Sequence, residues 1–133
     1  MRVVLDTNVL VSGLIEDGNP RRLLDALIIG PHKLLISKAI VDELAAVLAS
    51  RRIRRYVTAD DSVAFVRVLT ATGIMVITKS KLRLLKTADD RILETAYDGE
   101  AHLIVTGDRH LLTLGTFKGI RIVTVSEAAT ILR

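Results

Sequence analysis

The sequence lacks cysteine and tryptophan, and its 133 residues include only two phenylalanines and two tyrosines. The absence of cysteine excludes a disulfide framework, a thiolate zinc site and a cysteine nucleophile. So few aromatic side chains cannot form a surface that holds single strands by base stacking. A bound nucleic acid would therefore have to be held by its phosphates.

Long apolar runs are also absent. No stretch approaches the ~20 apolar residues that a membrane-spanning helix needs, and the N-terminus reaches the charged residue Asp6 with no long apolar region and no small-residue cleavage site. The histidines, His32, His102 and His110, are scattered without the spacing of metal ligands. We therefore expect a soluble, cytoplasmic protein with no membrane partner and no zinc site.

Apolar residues are abundant, at 50% of the chain, and the formal net charge is +4. A chain of this size and hydrophobicity can bury one sizeable core, and no repeat or linker divides it. We predict a single domain spanning residues 1–133. The positive charge suits an anionic partner but is weak evidence for one by itself.

Short β-branched runs alternate with longer helical patterns along the chain. This alternation predicts βαβ crossovers and an α/β fold, a three-layer α/β/α sandwich with a mostly parallel central sheet. The predicted strands are 2–5, 33–36, 74–77, 103–106 and 121–125, and the predicted helix caps are Asn19, Ser37, Thr58, Thr87 and Ser126. In such folds ligands bind beyond the carboxyl ends of the strands, where strand order reverses.

Two acidic residues follow predicted strands directly. Asp6 comes after Val3-Val4-Leu5, and Asp108 comes after a run that ends in Thr106-Gly107. Both should therefore lie at the ligand-binding edge of the sheet. Asp6 could instead cap the following helix, although Thr7 and Asn8 add two more polar side chains to the same short turn.

Glu43 lies on the apolar face of its predicted helix. It is three residues after Ile40 and four before Val47, so its side chain should point inward. A buried unpaired carboxylate is costly, so Glu43 must be paired, protonated or bound to a metal. A salt bridge to an arginine is the structural alternative. Its neighbour Asp42 should be a surface charge.

Asp89 and Asp90 both fall in the first turn of the helix that Thr87 is predicted to cap. Asp90 completes something close to a capping box with Thr87. Asp89 precedes Ile92 by three residues and Leu93 by four, so it shares the buried face. We assign the chemistry to Asp89 and the cap to Asp90, and an exchange of these two roles is the alternative.

Four carboxylates that converge without basic partners repel one another, and shared divalent cations are a common resolution. Oxygen ligands without cysteine or paired histidine favour Mg²⁺ or Mn²⁺. Such ions polarise phosphoryl groups and generate a nucleophilic water. The predicted reaction is therefore hydrolysis of a phosphodiester.

Four short motifs occur in order along the chain. They are Asp6-Thr7-Asn8-Val9-Leu10, Ser37 followed by Glu43-Leu44, Asp89 ahead of Ile92-Leu93-Glu94-Thr95-Ala96, and Ile104-Val105-Thr106-Gly107-Asp108. This ordered set resembles the PIN domain, most closely the VapC-like toxin components of toxin–antitoxin systems. The resemblance covers essentially the whole chain. It departs from the family where relatives often carry a proline-containing acidic run, because Lys86-Thr87-Ala88 precedes the third acid.

The resemblance implies a PIN-like fold and a metal-dependent endoribonuclease. It places four residues as catalytic acids and metal ligands, namely Asp6, Glu43, Asp89 and Asp108. It implies supporting polar residues around the metals, which are Thr7, Asn8 and Thr106, with Asp90 beside them. It further implies RNA as the substrate, a cognate antitoxin and a homodimer.

A basic cluster, Arg51, Arg52, Arg54 and Arg55, stands at a predicted helix end. These arginines either contact RNA phosphates or form a solvated face that complements the helix dipole. The non-enzymatic alternative for the whole chain is a receiver-like, RNA-binding or partner-binding module with a metal-binding acidic pocket. The target RNA is not specified, because phosphate and metal contacts carry no base information.

Overall fold

The structure, a computed structural model, describes residues 1–133. Its elements in chain order are β1 (Arg2–Leu5), α1 (Thr7–Ile15), α2 (Asn19–Ile29), β2 (Lys33–Ser37), α3 (Lys38–Ala49), α4 (Arg51–Arg54), α5 (Ala59–Thr72), β3 (Ile74–Val76), α6 (Asp89–Asp98), β4 (Leu103–Val105), α7 (Arg109–Leu114), β5 (Thr116–Phe117), β6 (Ile120–Val123) and α8 (Val125–Ile131).

The six strands form one sheet in the order β3-β2-β1-β4-β6-β5. Every neighbouring pair is parallel except β5 with β6. From β1 the chain adds β2 and then β3 on one side of the sheet. It then returns to add β4 on the other side of β1. Strand order therefore reverses between β1 and β4, whose carboxyl ends frame the crevice where such folds bind ligands. The predicted α/β fold with a mostly parallel sheet is confirmed.

Both faces of the central strands are covered. Val3, Val4 and Leu5 are consecutive in β1, and none is more than 1% exposed. Because successive strand side chains point to opposite faces, both faces of β1 must be packed against other elements. The buried hydrophobic side chains form one cluster of 33 residues, so the sheet and its helices share a core.

Two predicted helix starts are confirmed by their caps. Ser37 Oγ accepts the backbone N–H of Ile40 at 3.4 Å, and Thr58 Oγ1 accepts that of Asp61 at 3.1 Å. Because Ser37 ends β2, α3 begins directly at the carboxyl edge of the sheet. Glu43 then lies about one and a half turns into α3.

The last helix starts earlier than predicted. Thr124, and not Ser126, is the cap of α8, because Thr124 and Glu127 form a capping box. Three elements were also missed, namely α4, α7 and β5. Each has six residues or fewer, which is too short for hydrophobic periodicity to reveal.

None of the helices combines the length and apolar character that crossing a membrane requires. The longest, α5, has 14 residues.

A buried hydroxyl in α5 provides a test of the packing. Ser62 is 7% exposed, and its Oγ has no hydrogen-bond partner. Removing an unsatisfied buried hydroxyl relieves a desolvation cost of about 1–3 kcal/mol. Replacing serine by alanine also favours the helix by about 0.5 kcal/mol. We expect Ser62→Ala to raise the free energy of unfolding in urea by at least about 1.5 kcal/mol, because the two contributions have the same sign.

The matched control is Ala64→Ser on the exposed side of the same helix. This control measures only the difference in helix propensity between alanine and serine, so it should lower the free energy of unfolding. If the gain at position 62 does not exceed the loss at position 64, the Ser62 hydroxyl is not a source of instability.

Candidate metal centre

Asp6 and Asp108 are joined through the hydroxyl of Thr106. Thr106 Oγ1 donates to Asp6 Oδ2 at 2.7 Å and accepts the backbone N–H of Asp108 at 2.9 Å. The link therefore crosses the crevice from the end of β1 to the end of β4. Asp108 Oδ1 also accepts the N–H groups of His110 and Leu111, at 2.7 and 3.3 Å. Asp108 thus caps α7, a role that the sequence had not suggested.

Glu43 reaches the same crevice from α3. It is half-buried, and its Oε2 accepts the hydroxyl of Thr7 at 3.1 Å. No arginine pairs with it, so the structural alternative of a buried salt bridge does not hold. Asp42 is exposed and pairs with Lys38 at 2.7 Å. The predicted difference between these neighbouring acids is therefore present in the structure.

A buried hydrogen bond fixes α3 relative to α6. Ser37 Oγ and Thr95 Oγ1 are 2.7 Å apart, and Thr95 Oγ1 also lies 2.8 Å from the carbonyl oxygen of Arg91. Because the threonine proton goes to that carbonyl, Ser37 is the donor between the two hydroxyls. The helices that carry Glu43 and Asp89 are thereby held together close to the crevice.

Asp89 is the first residue of α6, and it is half-buried. Burial contributes most to raising the pKa of Asp89 from 3.8 to about 6, and the negative charges of Asp108, Asp6 and Glu43 add to the rise. The side chain accepts no hydrogen bond that would offset this repulsion. His110 acts in the opposite direction and lowers the pKa in part, and Asp89 is the one acid of the four whose carboxylate accepts no hydrogen bond.

Asp90 has a different environment. It is 1% exposed, and its two oxygens accept the backbone N–H groups of Leu85 and Lys86, both at 2.9 Å. The predicted capping box was wrong, because Thr87 Oγ1 accepts the N–H of Asp89 at 3.2 Å and α6 begins at Asp89. Asp90 supports the segment that precedes the helix and does not cap the helix itself.

Three of the side chains lie close enough together to share one metal ion. One ligand atom from each of Asp89, Asp108 and His110 lies within 4.8 Å of the other two. His110 was missed because the prediction contained no helix after Asp108. Its position, two residues beyond a strand-end acid, was the available signal. Asp6 and Glu43 are not part of this set, although both act electrostatically on Asp89.

Some predicted residues are not brought to this cluster. Asn8 is exposed, and its side chain makes no hydrogen bond. The arginines of α4 follow α3, which carries the chain away from the carboxyl edge of the sheet. α3 continues for six residues beyond Glu43, about 9 Å along the helix, and ends at Ala49 before these arginines begin.

The residues fit a divalent cation. Three of the carboxylates use one oxygen for a hydrogen bond within the protein and leave the other oxygen without a donor. The oxygens without donors are Asp6 Oδ1, Glu43 Oε1, Asp108 Oδ2 and both of Asp89, and none is sealed from solvent. No lysine or arginine forms a salt bridge with any of the four acids. Hard oxygen ligands of this kind suit Mg²⁺ or Mn²⁺.

Comparison with known families agrees with this architecture. The PIN domain model matches residues 2–110 of the chain. The protein therefore belongs to the PIN domain family, whose members are typically nucleases. No curated protein matches the chain.

Comparison with solved structures supports the fold. The chain is similar to the crystal structure of VapBC2 from Rickettsia felis bound to a DNA fragment from their promoter, with a TM-score of 0.65. The similarity covers 93% of this chain and 98% of that chain, and the sequence identity is 15%. At this identity the match supports a shared fold.

The raised pKa of Asp89 predicts a pH-dependent stability without metal. Between the unfolded value of 3.8 and the folded value of about 6, the folded protein binds more protons than the unfolded chain. Stability from this group is therefore fully present at the lower end of the window and is lost as pH rises through it. In chelator, Asp89→Asn should melt at a higher temperature than wild type at neutral pH. This difference should shrink as the pH falls through the window, whereas a constant difference would contradict the assignment.

The hydrogen bonds of Asp90 predict the opposite effect at the adjacent position. In Asp90→Asn an amide NH₂ replaces one of two accepting oxygens, so a partly buried backbone N–H loses its partner. We expect the free energy of unfolding in chelator to fall by about 1–3 kcal/mol. Asp89→Asn, measured in parallel by urea unfolding, should cause no loss. If Asp90→Asn is neutral, the preceding segment does not depend on this carboxylate.

Proposed function

We propose that residues 1–133 act as one nuclease domain, an endoribonuclease that depends on Mg²⁺ or Mn²⁺ and hydrolyses RNA phosphodiester bonds. The observation that carries this proposal is the gathering of four carboxylates, none of them paired with a lysine or arginine, where strand order reverses. Membership of the PIN domain family supports it.

The proposed metal ligands are Asp6, Glu43, Asp89 and Asp108, with His110 beside them. When bound, the divalent cation supplies polarisation of a phosphoryl oxygen and a more acidic water. The protein supplies orientation. Thr106 donates to one oxygen of Asp6, and Thr7 donates to one oxygen of Glu43. The second oxygen of each acid has no protein donor and is available to a metal ion.

We further propose that the protein is the toxin of a toxin–antitoxin pair. The motif resemblance to VapC-like toxins and the structural similarity to VapBC2 support this proposal. The cognate antitoxin and the homodimer that the resemblance implies remain predictions.

The test compares two neighbouring acids of α3 in an RNA cleavage assay with Mg²⁺. Metal polarisation is worth several kcal/mol, and each 1.36 kcal/mol changes a rate about tenfold. Glu43→Gln should therefore lower the cleavage rate by at least about 100-fold. Asp42→Asn, the matched control on the exposed side, should retain nearly all activity.

Metal binding is measured separately by thermal unfolding. Mg²⁺ or Mn²⁺ should raise the melting temperature of the wild type, because a ligand that binds only the folded state stabilises it. The rise should be smaller in Asp6→Asn. A metal-dependent rise without any RNA cleavage would refute the nuclease and favour the metal-binding, non-enzymatic module.

A further inference from the structure

Three carboxylates on α6 are spaced four residues apart and therefore share one helix face. They are Asp90, Glu94 and Asp98, and each accepts backbone N–H groups from the segment before the helix. Asp98 Oδ2 accepts those of Lys79 and Ser80 at 2.7 and 2.9 Å. Glu94 Oε2 accepts the N–H of Leu82 at 2.7 Å. Asp90 accepts the N–H groups of Leu85 and Lys86.

The order of these partners defines the path of the segment. The first residues of 79–86 bond to the end of α6 and the last residues to its start, so the segment runs alongside the helix in the opposite direction. We call residues 79–86 the basic strap. It has no regular secondary structure, and its amide groups are held by side chains of the helix. Its position is therefore fixed by α6.

Two of the three anchoring acids are buried, whereas the charge of Lys79 acts on the half-buried Asp98. Asp90 and Glu94 are 1% and 4% exposed, and Glu94 is further bound by Arg91 at 2.8 Å. The outer side chains of the strap are Lys79, Lys81, Arg83 and Lys86, which are all exposed and form no salt bridge. The sequence contains no acidic residue between Asp61 and Asp89.

The strap presents its first three charges at regular intervals. Lys79, Lys81 and Arg83 are exposed, whereas the intervening Ser80 and Leu82 are half-buried. Alternate residues of an extended chain are about 6–7 Å apart, so the cations form a row on one side. Beyond this row the strap reaches the start of α6, because Leu85 and Lys86 donate to Asp90, the residue next to Asp89.

We propose that the basic strap binds the phosphates of an RNA chain and directs that chain toward the acidic cluster. This inference rests on the proposed nuclease function. Lysine and arginine are the side chains that bind phosphates as charged donors, and the scarcity of aromatic residues leaves the backbone of RNA as the part that can be held.

The lining of the adjacent groove favours RNA over an acidic polypeptide. The groove is lined by 8 residues of which Leu82 alone is hydrophobic. Protein interfaces rely on apolar or aromatic anchors at their centre, and this groove offers none beyond Leu82. Leu84 is also an exposed apolar side chain of the strap, and the row of charges suits a polyphosphate backbone.

The first experiment measures the binding of a fluorescent single-stranded RNA by anisotropy in chelator, so that no cleavage occurs. The triple variant Lys79→Gln, Lys81→Gln, Arg83→Gln should bind at least about tenfold more weakly at low salt. The slope of log K against log salt should become shallower by about 2, at about 0.7 for each lost phosphate contact. The matched control removes three exposed charges from the other basic cluster, as Arg51→Gln, Arg52→Gln, Arg55→Gln. It should lose less than about threefold, and equal losses in the two variants would overturn the proposal.

A second variant separates positioning from net charge. Asp98→Ala releases the far end of the strap and also removes one negative charge. If charge alone governed affinity, this variant would bind RNA more tightly than wild type. The proposal predicts weaker binding, by about threefold or more. Asp25→Ala, an exposed acid on α2, controls for the lost charge and should bind slightly more tightly. Tighter binding by Asp98→Ala would refute the role of the strap.

Further outcomes distinguish this inference from the proposed function. RNA binding through the strap without any Mg²⁺-dependent cleavage would refute the nuclease and retain the strap. Cleavage with unchanged RNA affinity in the strap variant would refute the strap and retain the nuclease. A polyglutamate of matched charge that binds more tightly than RNA, and loses that affinity in the strap variant, would assign the surface to an acidic polypeptide.

Discussion

Repulsion between carboxylates is the constraint on which the rest of the crevice depends. The order of strands forces the ends of β1 and β4 together, and each is followed by an acid. Hydrogen bonds from Thr106 and Thr7 support Asp6 and Glu43, but Asp89 has no such donor. Burial first, and then the charges of the neighbouring acids, raise the pKa of Asp89, so its ionised form is disfavoured. A divalent cation would relieve this repulsion, which is why the arrangement favours metal binding over a purely structural role.

The helix α6 shows how local donors decide the role of an acid. Asp89 and Asp90 are adjacent and chemically identical, yet only Asp90 meets two backbone N–H groups. Together with Glu94 and Asp98 it organises the preceding segment, while Asp89 faces other acids. One short helix therefore supports both the candidate metal centre and the surface beside it. The candidate metal centre and the basic strap contact different faces of α6, so their roles can be tested independently.

The order of elements and the location of the crevice could be predicted from sequence, because strand runs and helix caps are local signals. Ser37 and Thr58 marked helix starts correctly, and helical phase separated Glu43 from Asp42. The start of α6 could not be predicted, since Lys86 adopts a positive φ of 57° that is stabilised by Asp90. His110 was missed for a related reason. Its helix is six residues long and begins with a cap by Asp108 that the sequence does not distinguish from a metal ligand.

The hydroxyl of Thr106 has a consequence for the entropy of ligand binding. It has one proton and one torsional degree of freedom, and it must donate to Asp6 while accepting from the backbone of Asp108. Only one orientation of the hydroxyl satisfies both partners. The rotational freedom of this hydroxyl and of the Asp6 carboxylate is therefore lost when the chain folds, and it is not lost again when a ligand arrives. One half of the crevice is preorganised, and Asp89 is the part left free to adjust.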